Sequence, residues 1–190
     1  MLRVILGLGN IGGPYEHTRH NVGFDVLNKV TSRLQVSTRP EKPEYRWAVA
    51  QQSGRELLLA WPTLLMNRSG FAAEALLQEY DLEPPEMLVV VDDFNLPLGR
   101  LRVRRSGSDG GHKGLISLID TLGTENFPRL RVGTGPRPDN VSKTDFVLGR
   151  FTPEEQETLE GVLETAAEAA VFAIDHRLEE VMSNYNVNPA

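Results

Sequence analysis

Asn10, Tyr15, Glu16, His17, Thr18, Arg19, His20 and Asn21 crowd into a short polar stretch behind a glycine-rich turn, Gly7-Leu8-Gly9-Asn10-Ile11-Gly12-Gly13-Pro14. The chain has four histidines (His17, His20, His112 and His176) and no cysteine. Proton transfer near neutral pH therefore falls to imidazole, and disulfides, thiol nucleophiles and cysteine metal ligands are excluded. No metal site is expected. Two acids, Asp92 and Asp93, end the apolar run Met87–Val91. A carboxylate at that depth wants a partner, and His20 is the available one.

The elements that must position these groups read as an α/β alternation. Val4–Leu8 is a buried strand, and Val22–Leu34 carries apolar residues at helical spacing. Tyr45–Gln52 and Glu56–Trp61 form a hairpin about Ser53-Gly54, with Asn67 or Ser69 placed to cap a helix running to Tyr80. Met87–Val91 reads as a central parallel strand that stops at Asp92. If it lies parallel to the first strand, Asn10 and Asp92 share one edge of the sheet, where α/β proteins bind ligands. Leu101–Arg105 alternates as a half-exposed strand. The loop Ser106–Gly111 then hands over to His112 and Lys113 and a further helix, Arg129–Gly135 is a strand, and 136–143 is a polar loop. Thr152-Pro153-Glu154-Glu155 opens an acidic helix expected over 152–181. The expected fold is a single α/β domain over 1–190, a twisted, mixed but largely parallel sheet flanked by helices.

Gly7-x-Gly9-x-x-Gly12 after a strand matches the dinucleotide fingerprint, yet its other conditions fail. Pro14 breaks the chain where the helix should open, and no acid ends a second strand about 20 residues on. No Gly-x-Ser-x-Gly elbow and no Walker loop occur. No cofactor is expected. Without a signal peptide or long apolar run, the expectation is a cytoplasmic protein with no membrane contact.

The net charge of −6 is unevenly placed. Thr152–Val181 holds nine acids against Arg177, so the remainder is net positive. Arg100, Arg102, Arg104 and Arg105, then Lys113, Arg129, Arg131, Arg137 and Lys143, fit a basic face that binds phosphates. A charge-protected strand edge explains the arginine run equally well.

The sequence resembles the bacterial peptidyl-tRNA hydrolases over nearly its whole length. Four motifs carry the resemblance: Gly7-Leu8-Gly9-Asn10-x-Gly12-x-x-Tyr15-x-x-Thr18-Arg19-His20-Asn21-x-Gly23; Pro62-Thr63-x-x-Met66-Asn67-x-Ser69-Gly70; Asp92-Asp93-x-x-Leu96-Pro97-x-Gly99; and Gly110-Gly111-His112-x-Gly114. It implies hydrolysis of the ester that joins a peptide to the terminal ribose of tRNA, by a monomer whose partner is peptidyl-tRNA, held at its acceptor end and phosphate backbone. By position, His20 is the implied base, Asp92 its orienting carboxylate, Asn10 the group that tells blocked from free aminoacyl ends, and Asn67 a substrate-positioning amide. Tyr15, Leu65, Met66, His112 and Lys113 fall where the family binds substrate. Four positions depart from the family pattern: Ile11 for proline, Leu65 for phenylalanine, Asn95 for aspartate and Lys113 for asparagine. A second reading is an RNA-binding relative of the same fold that has lost catalysis.

Overall fold

In a computed structural model, residues 1–186 are described. Six strands form one sheet: β1 (Val4–Gly7), β2 (Tyr45–Gln52), β3 (Arg55–Pro62), β4 (Met87–Pro97), β5 (Leu101–Arg104) and β6 (Arg129–Gly135). Their order is β2-β3-β1-β4-β6-β5. The four inner strands run parallel, and the edges β2 and β5 pair antiparallel with β3 and β6. The six helices are α1 (Val22–Leu34), α2 (Ser69–Glu79), α3 (Lys113–Leu122), α4 (Lys143–Leu148), α5 (Pro153–Asp175) and α6 (Leu178–Tyr185).

The inner strands read as continuous apolar runs because both faces are covered. Ile5, Leu59, Leu88 and Val90 pack with Val26, Leu27, Val162, Ala166 and Val181 from α1, α5 and α6. Their alternates Val4, Leu6, Leu58, Val89 and Val91 pack with Ala72, Leu76, Leu115 and Leu118 from α2 and α3. Each of the buried valines, leucines and isoleucines contributes about 1.5 to 3 kcal/mol by leaving water.

Two glycines let α1 start against the sheet. A β-carbon on Gly23 would lie 2.5 Å from backbone atoms of Leu8 and Val90, and one on Gly7 would lie 2.4 Å from the Gly23 carbonyl oxygen. The turn just before α1, which carries His20, is thereby held against the carboxyl ends of β1 and β4.

Three details differ from the sequence reading. β4 continues through Asp92 and Asp93 to Pro97, because Asp92 and Asp93 pair with Val132 and Gly133 of β6. The acidic segment is two helices, broken at His176-Arg177, and not one helix to Val181. Asn67 and Ser69 do not cap α2. A single 3-10 turn, Met66–Arg68, precedes that helix, and the Ser69 hydroxyl donates to the Met66 carbonyl at 2.9 Å.

Candidate active site

His20 lies in a 3-10 turn, Arg19–Asn21, which has been pinned from both sides. The Arg19 guanidinium sits between Phe146 and Phe151, 4.5 and 4.6 Å from their ring centroids, pairs with Glu155 and donates to the carbonyls of Arg150 and Thr134. Such a cation is desolvated yet satisfied, so it fixes the turn instead of adding charge to the surface. Asn21 accepts from the Asn10 amide N–H at 2.8 Å and donates from Nδ2 to the Asn10 carbonyl at 2.9 Å. The two-bond ring ties the turn holding His20 to the loop holding Asn10. No role for Arg19 or Asn21 came from sequence reasoning.

Asp92 is the centre of the arrangement. One oxygen, Oδ1, receives His20 Nδ1 at 2.8 Å and His112 Nε2 at 3.0 Å, with the imidazole centroids 4.8 Å apart. Burial pushes the Asp92 carboxyl up, but the two facing imidazoles outweigh it and hold the group below the usual carboxylate range. Asp92 is an anion here, and both contacts need N–H donors.

The tautomers follow. His112 caps α3 with its ring: Nδ1 accepts from the backbone N–H groups of Gly114 and Leu115 at 3.1 and 3.3 Å, so its proton is on Nε2, facing Asp92. His20 donates from Nδ1, and its Nε2 carries a lone pair that no hydrogen bond among the described residues occupies. The two imidazoles are thus unequal. His112 has both nitrogens engaged, so of its imidazole only carbon edges and faces remain for a ligand, whereas His20 keeps one basic nitrogen beside the cavity.

The cavity encloses about 350 Å³ and is lined by every residue the sequence reading named: Asn10, Tyr15, His20, Leu65, Met66, Asn67, Asp92, His112 and Lys113. Asn10 is more constrained than its type suggests. Its Oδ1 accepts from the Met66 N–H at 2.8 Å, which leaves Nδ2 as the donor. Asn67 is exposed, and its side-chain amide makes no hydrogen bond among the described residues. Phe94 and Asn95 near the end of β4 and Thr144, Val147 and Leu148 of α4 complete the wall, and Lys113, Arg131 and Lys143 bring positive charge to it. Arg131 is partly neutralised by Asp93 at 3.2 Å. Arg129, counted above with the basic face, is fully buried and donates to the carbonyls of Gly107, Ser108, Glu125 and Phe127. It supports the loop before His112 and is unavailable to a phosphate.

Among the described residues, the one cluster with the composition of a metal site is His20, Asp92 and His112, whose ligand atoms lie within 4.8 Å of one another. Those atoms are in direct hydrogen-bond contact, with backbone donors on the remaining His112 nitrogen, and the imidazoles would have to separate to admit an ion.

A mixed, largely parallel α/β domain whose cavity brings together a carboxylate-oriented histidine and amide donors has the parts that a general-base hydrolase needs. The chain belongs to the peptidyl-tRNA hydrolase family, whose model matches residues 4–190. It is 41% identical to a peptidyl-tRNA hydrolase of Aquifex aeolicus over 185 residues, covering 97% of this chain and 96% of that one. With a Synechocystis peptidyl-tRNA hydrolase the identity is 42%, covering 97% and 95%. The crystal structure of peptidyl-tRNA hydrolase from Acinetobacter baumannii superposes with a TM-score of 0.91 at 26% identity, covering 98% of this chain and 95% of that one.

Proposed function

We propose that this chain hydrolyses the ester between a peptide and the terminal ribose of tRNA, returning free tRNA to translation. The observation that supports it most is the free Nε2 of His20, held by an ionised Asp92 in the same cavity as the Asn10 donor. Water loses a proton to Nε2 as it attacks the ester carbonyl, and the imidazolium formed is stabilised by Asp92. The tetrahedral intermediate collapses with that proton passing to the departing ribose oxygen. General-base assistance of this kind contributes roughly 10² to 10⁴ in rate.

Asn10 Nδ2 donates to a carbonyl of the peptide, and Asn67, whose side-chain amide has no partner among the described residues, accepts the peptide N–H. An unblocked aminoacyl end presents an ammonium in place of that acylated nitrogen, and a donor at Asn10 opposes it. Sites built on such hydrogen bonds reject mismatched groups strongly. Tyr15, Leu65 and Met66 form the wall against the acyl chain, and Lys113 and Lys143 face the tRNA phosphates. His112, by contrast with the substrate contact first expected of it, serves as a positioning residue through Asp92. The site is complete within one chain, which acts as a monomer. Among the described residues no helix is long and apolar enough to cross a membrane.

The test is release of the acylated amino acid from N-acetylaminoacyl-tRNA by purified protein in a chelator. Release supports the reading, and tRNA binding without release points to the non-catalytic relative.

A further inference from the structure

Two large apolar side chains stand in water on the helices that flank the catalytic cavity: Phe71 of α2, 47% exposed, and Ile116 of α3, 39% exposed. Nothing in the ester chemistry uses either. How the two helices meet brings them together. A β-carbon on Gly114 would lie 2.6 Å from the Met66 sulfur, and one on Gly70 would lie 2.2 Å from the Ser117 carbonyl oxygen. The Gly70 N–H also donates to the Ser117 hydroxyl at 2.9 Å. α2, with the turn before it, therefore runs parallel to α3, touching it first at Met66 and Gly114 and then at Gly70 and Ser117.

A right-handed helix turns by about 100° per residue. In two such helices lying parallel, the residue after a contact on one and the residue before it on the other point to the same side. Phe71 and Ile116 are those residues, on the side away from the sheet that Ala72, Leu76, Leu115 and Leu118 pack against. One turn earlier on each helix come Asn67 and Lys113, which line the catalytic cavity. The exposed apolar face is thus continuous with the cavity mouth.

Its charge points to the occupant. The Arg68 guanidinium lies over the Phe71 ring, 5.5 Å from its centroid, and no carboxylate comes within 4 Å of Arg68 or Lys113 among the described residues. Acids appear only one turn beyond, at Glu74 and Asp120. The face is cationic at the cavity, apolar in its middle and acidic at its far end. A wholly apolar partner would strip water from two cations and give them no anion. An exposed ring beside an arginine and a lysine suits unpaired nucleotides, whose bases stack on aromatic rings and guanidinium planes while their phosphates meet the cations.

We propose that Arg68, Phe71, Lys113 and Ile116 receive the unpaired nucleotides next to the esterified ribose of tRNA, with a base on the Phe71 ring beside Ile116 and phosphates at Arg68 and Lys113. The proposal rests on the hydrolase reading and names the part of the tRNA that is held beside the cavity.

The experiment measures kcat/KM for N-acetylaminoacyl esters of the trinucleotide CCA and of adenosine alone. The native protein prefers the trinucleotide, and Phe71→Ala lowers the ratio of the two about tenfold, equivalent to about 1.4 kcal/mol. Phe71→Tyr keeps a flat ring and the native ratio, whereas Phe71→Leu keeps only the apolar surface and loses it. A native protein without the preference, or a ratio that survives Phe71→Ala, overturns the proposal while leaving the hydrolase intact. So does a loss that follows the acyl group, larger for an apolar dipeptide than for N-acetylglycine on both carriers, since the face would then hold peptide. Failure of the native protein to release the acyl group from either ester or from whole tRNA overturns the hydrolase reading, and this one with it.

Discussion

Two carboxylates in this molecule are shifted in opposite directions, and each shift has a consequence that can be measured. Asp92 is held ionised by two imidazoles that share its Oδ1, so it can fix His20 in the tautomer that leaves Nε2 basic. Asp92→Asn keeps the shape but offers either a neutral oxygen or an N–H to His20, so single-turnover hydrolysis should fall roughly 10²-fold or more with tRNA affinity retained. An unchanged rate would remove Asp92 from the mechanism. Asp25 is raised from 3.8 to about 6, so the folded protein binds its proton more tightly than the unfolded chain does. Its ionisation opposes folding: the cost is absent below about pH 4, grows between 4 and 6, and is complete above 6. Asp25→Asn should therefore stabilise the protein at pH 7.5 by up to about 3 kcal/mol and give nothing at pH 4, read from urea midpoints at the two pH values. Equal effects at both would show that Asp25 ionises without strain. Of these groups, the pairing of His20 with Asp92 was legible in the sequence, because a buried acid needs a partner and few histidines exist. The role of His112 was not. A motif gives a residue type, while the state of this ring depends on two backbone N–H groups of α3 that it caps.

Element positions set the site as firmly as residue types do. α1 reaches the sheet at a backbone-to-backbone approach allowed by Gly23 and Gly7. Gly23→Ala would force main-chain atoms apart, since the neighbours of the added carbon are Leu8 and Val90 backbone with no flexible end to yield. A loss of about 1 to 3 kcal/mol is expected in urea unfolding, together with reduced turnover from displacement of the His20 turn. Wild-type stability and rate would mean that α1 slides freely. The main elements were readable from apolar periodicity, α1 and β6 to the residue. The misses have physical causes. β4 runs on through two aspartates because pairing with β6 and the facing groups His20, His112 and Arg131 overrides the poor strand propensity of aspartate. The break at His176-Arg177 carries neither glycine nor proline. It lets α6 fold back so that Asn186 can bond both ways to the Val103 backbone on edge strand β5. α4 was passed over although it had a signal, Ser142-Lys143-Thr144-Asp145, whose Ser142 hydroxyl caps the Asp145 N–H at 3.1 Å.

At the scale of the whole molecule, charge is sorted. The acids of α5 and α6 answer local cations, among them Lys29 with Glu160 and Glu164 and Arg105 with Glu179. Lys113 and Lys143 remain at the cavity wall without a carboxylate within 4 Å among the described residues. The sequence correctly placed positive charge outside the acidic helix but could not separate buried from surface arginines, and Arg129 belongs to the former. Lys113, where the family has asparagine, offers a charge and no acceptor. Lys113→Asn should lower the logarithmic salt slope of tRNA binding by about 0.7 to 0.9 and leave the chemical step nearly unchanged. A large fall in single-turnover rate with an unmoved slope would place Lys113 in the chemistry. The central claim is that one imidazole nitrogen, in a cavity that needs no metal, activates the water. It is tested most directly by single-turnover release of N-acetyl amino acid from its tRNA ester in EDTA, native protein against His20→Ala, with tRNA affinity measured in parallel. The account predicts release by the native protein, none above background from His20→Ala, and affinities within a few-fold of each other. Release by His20→Ala near the native rate would contradict it.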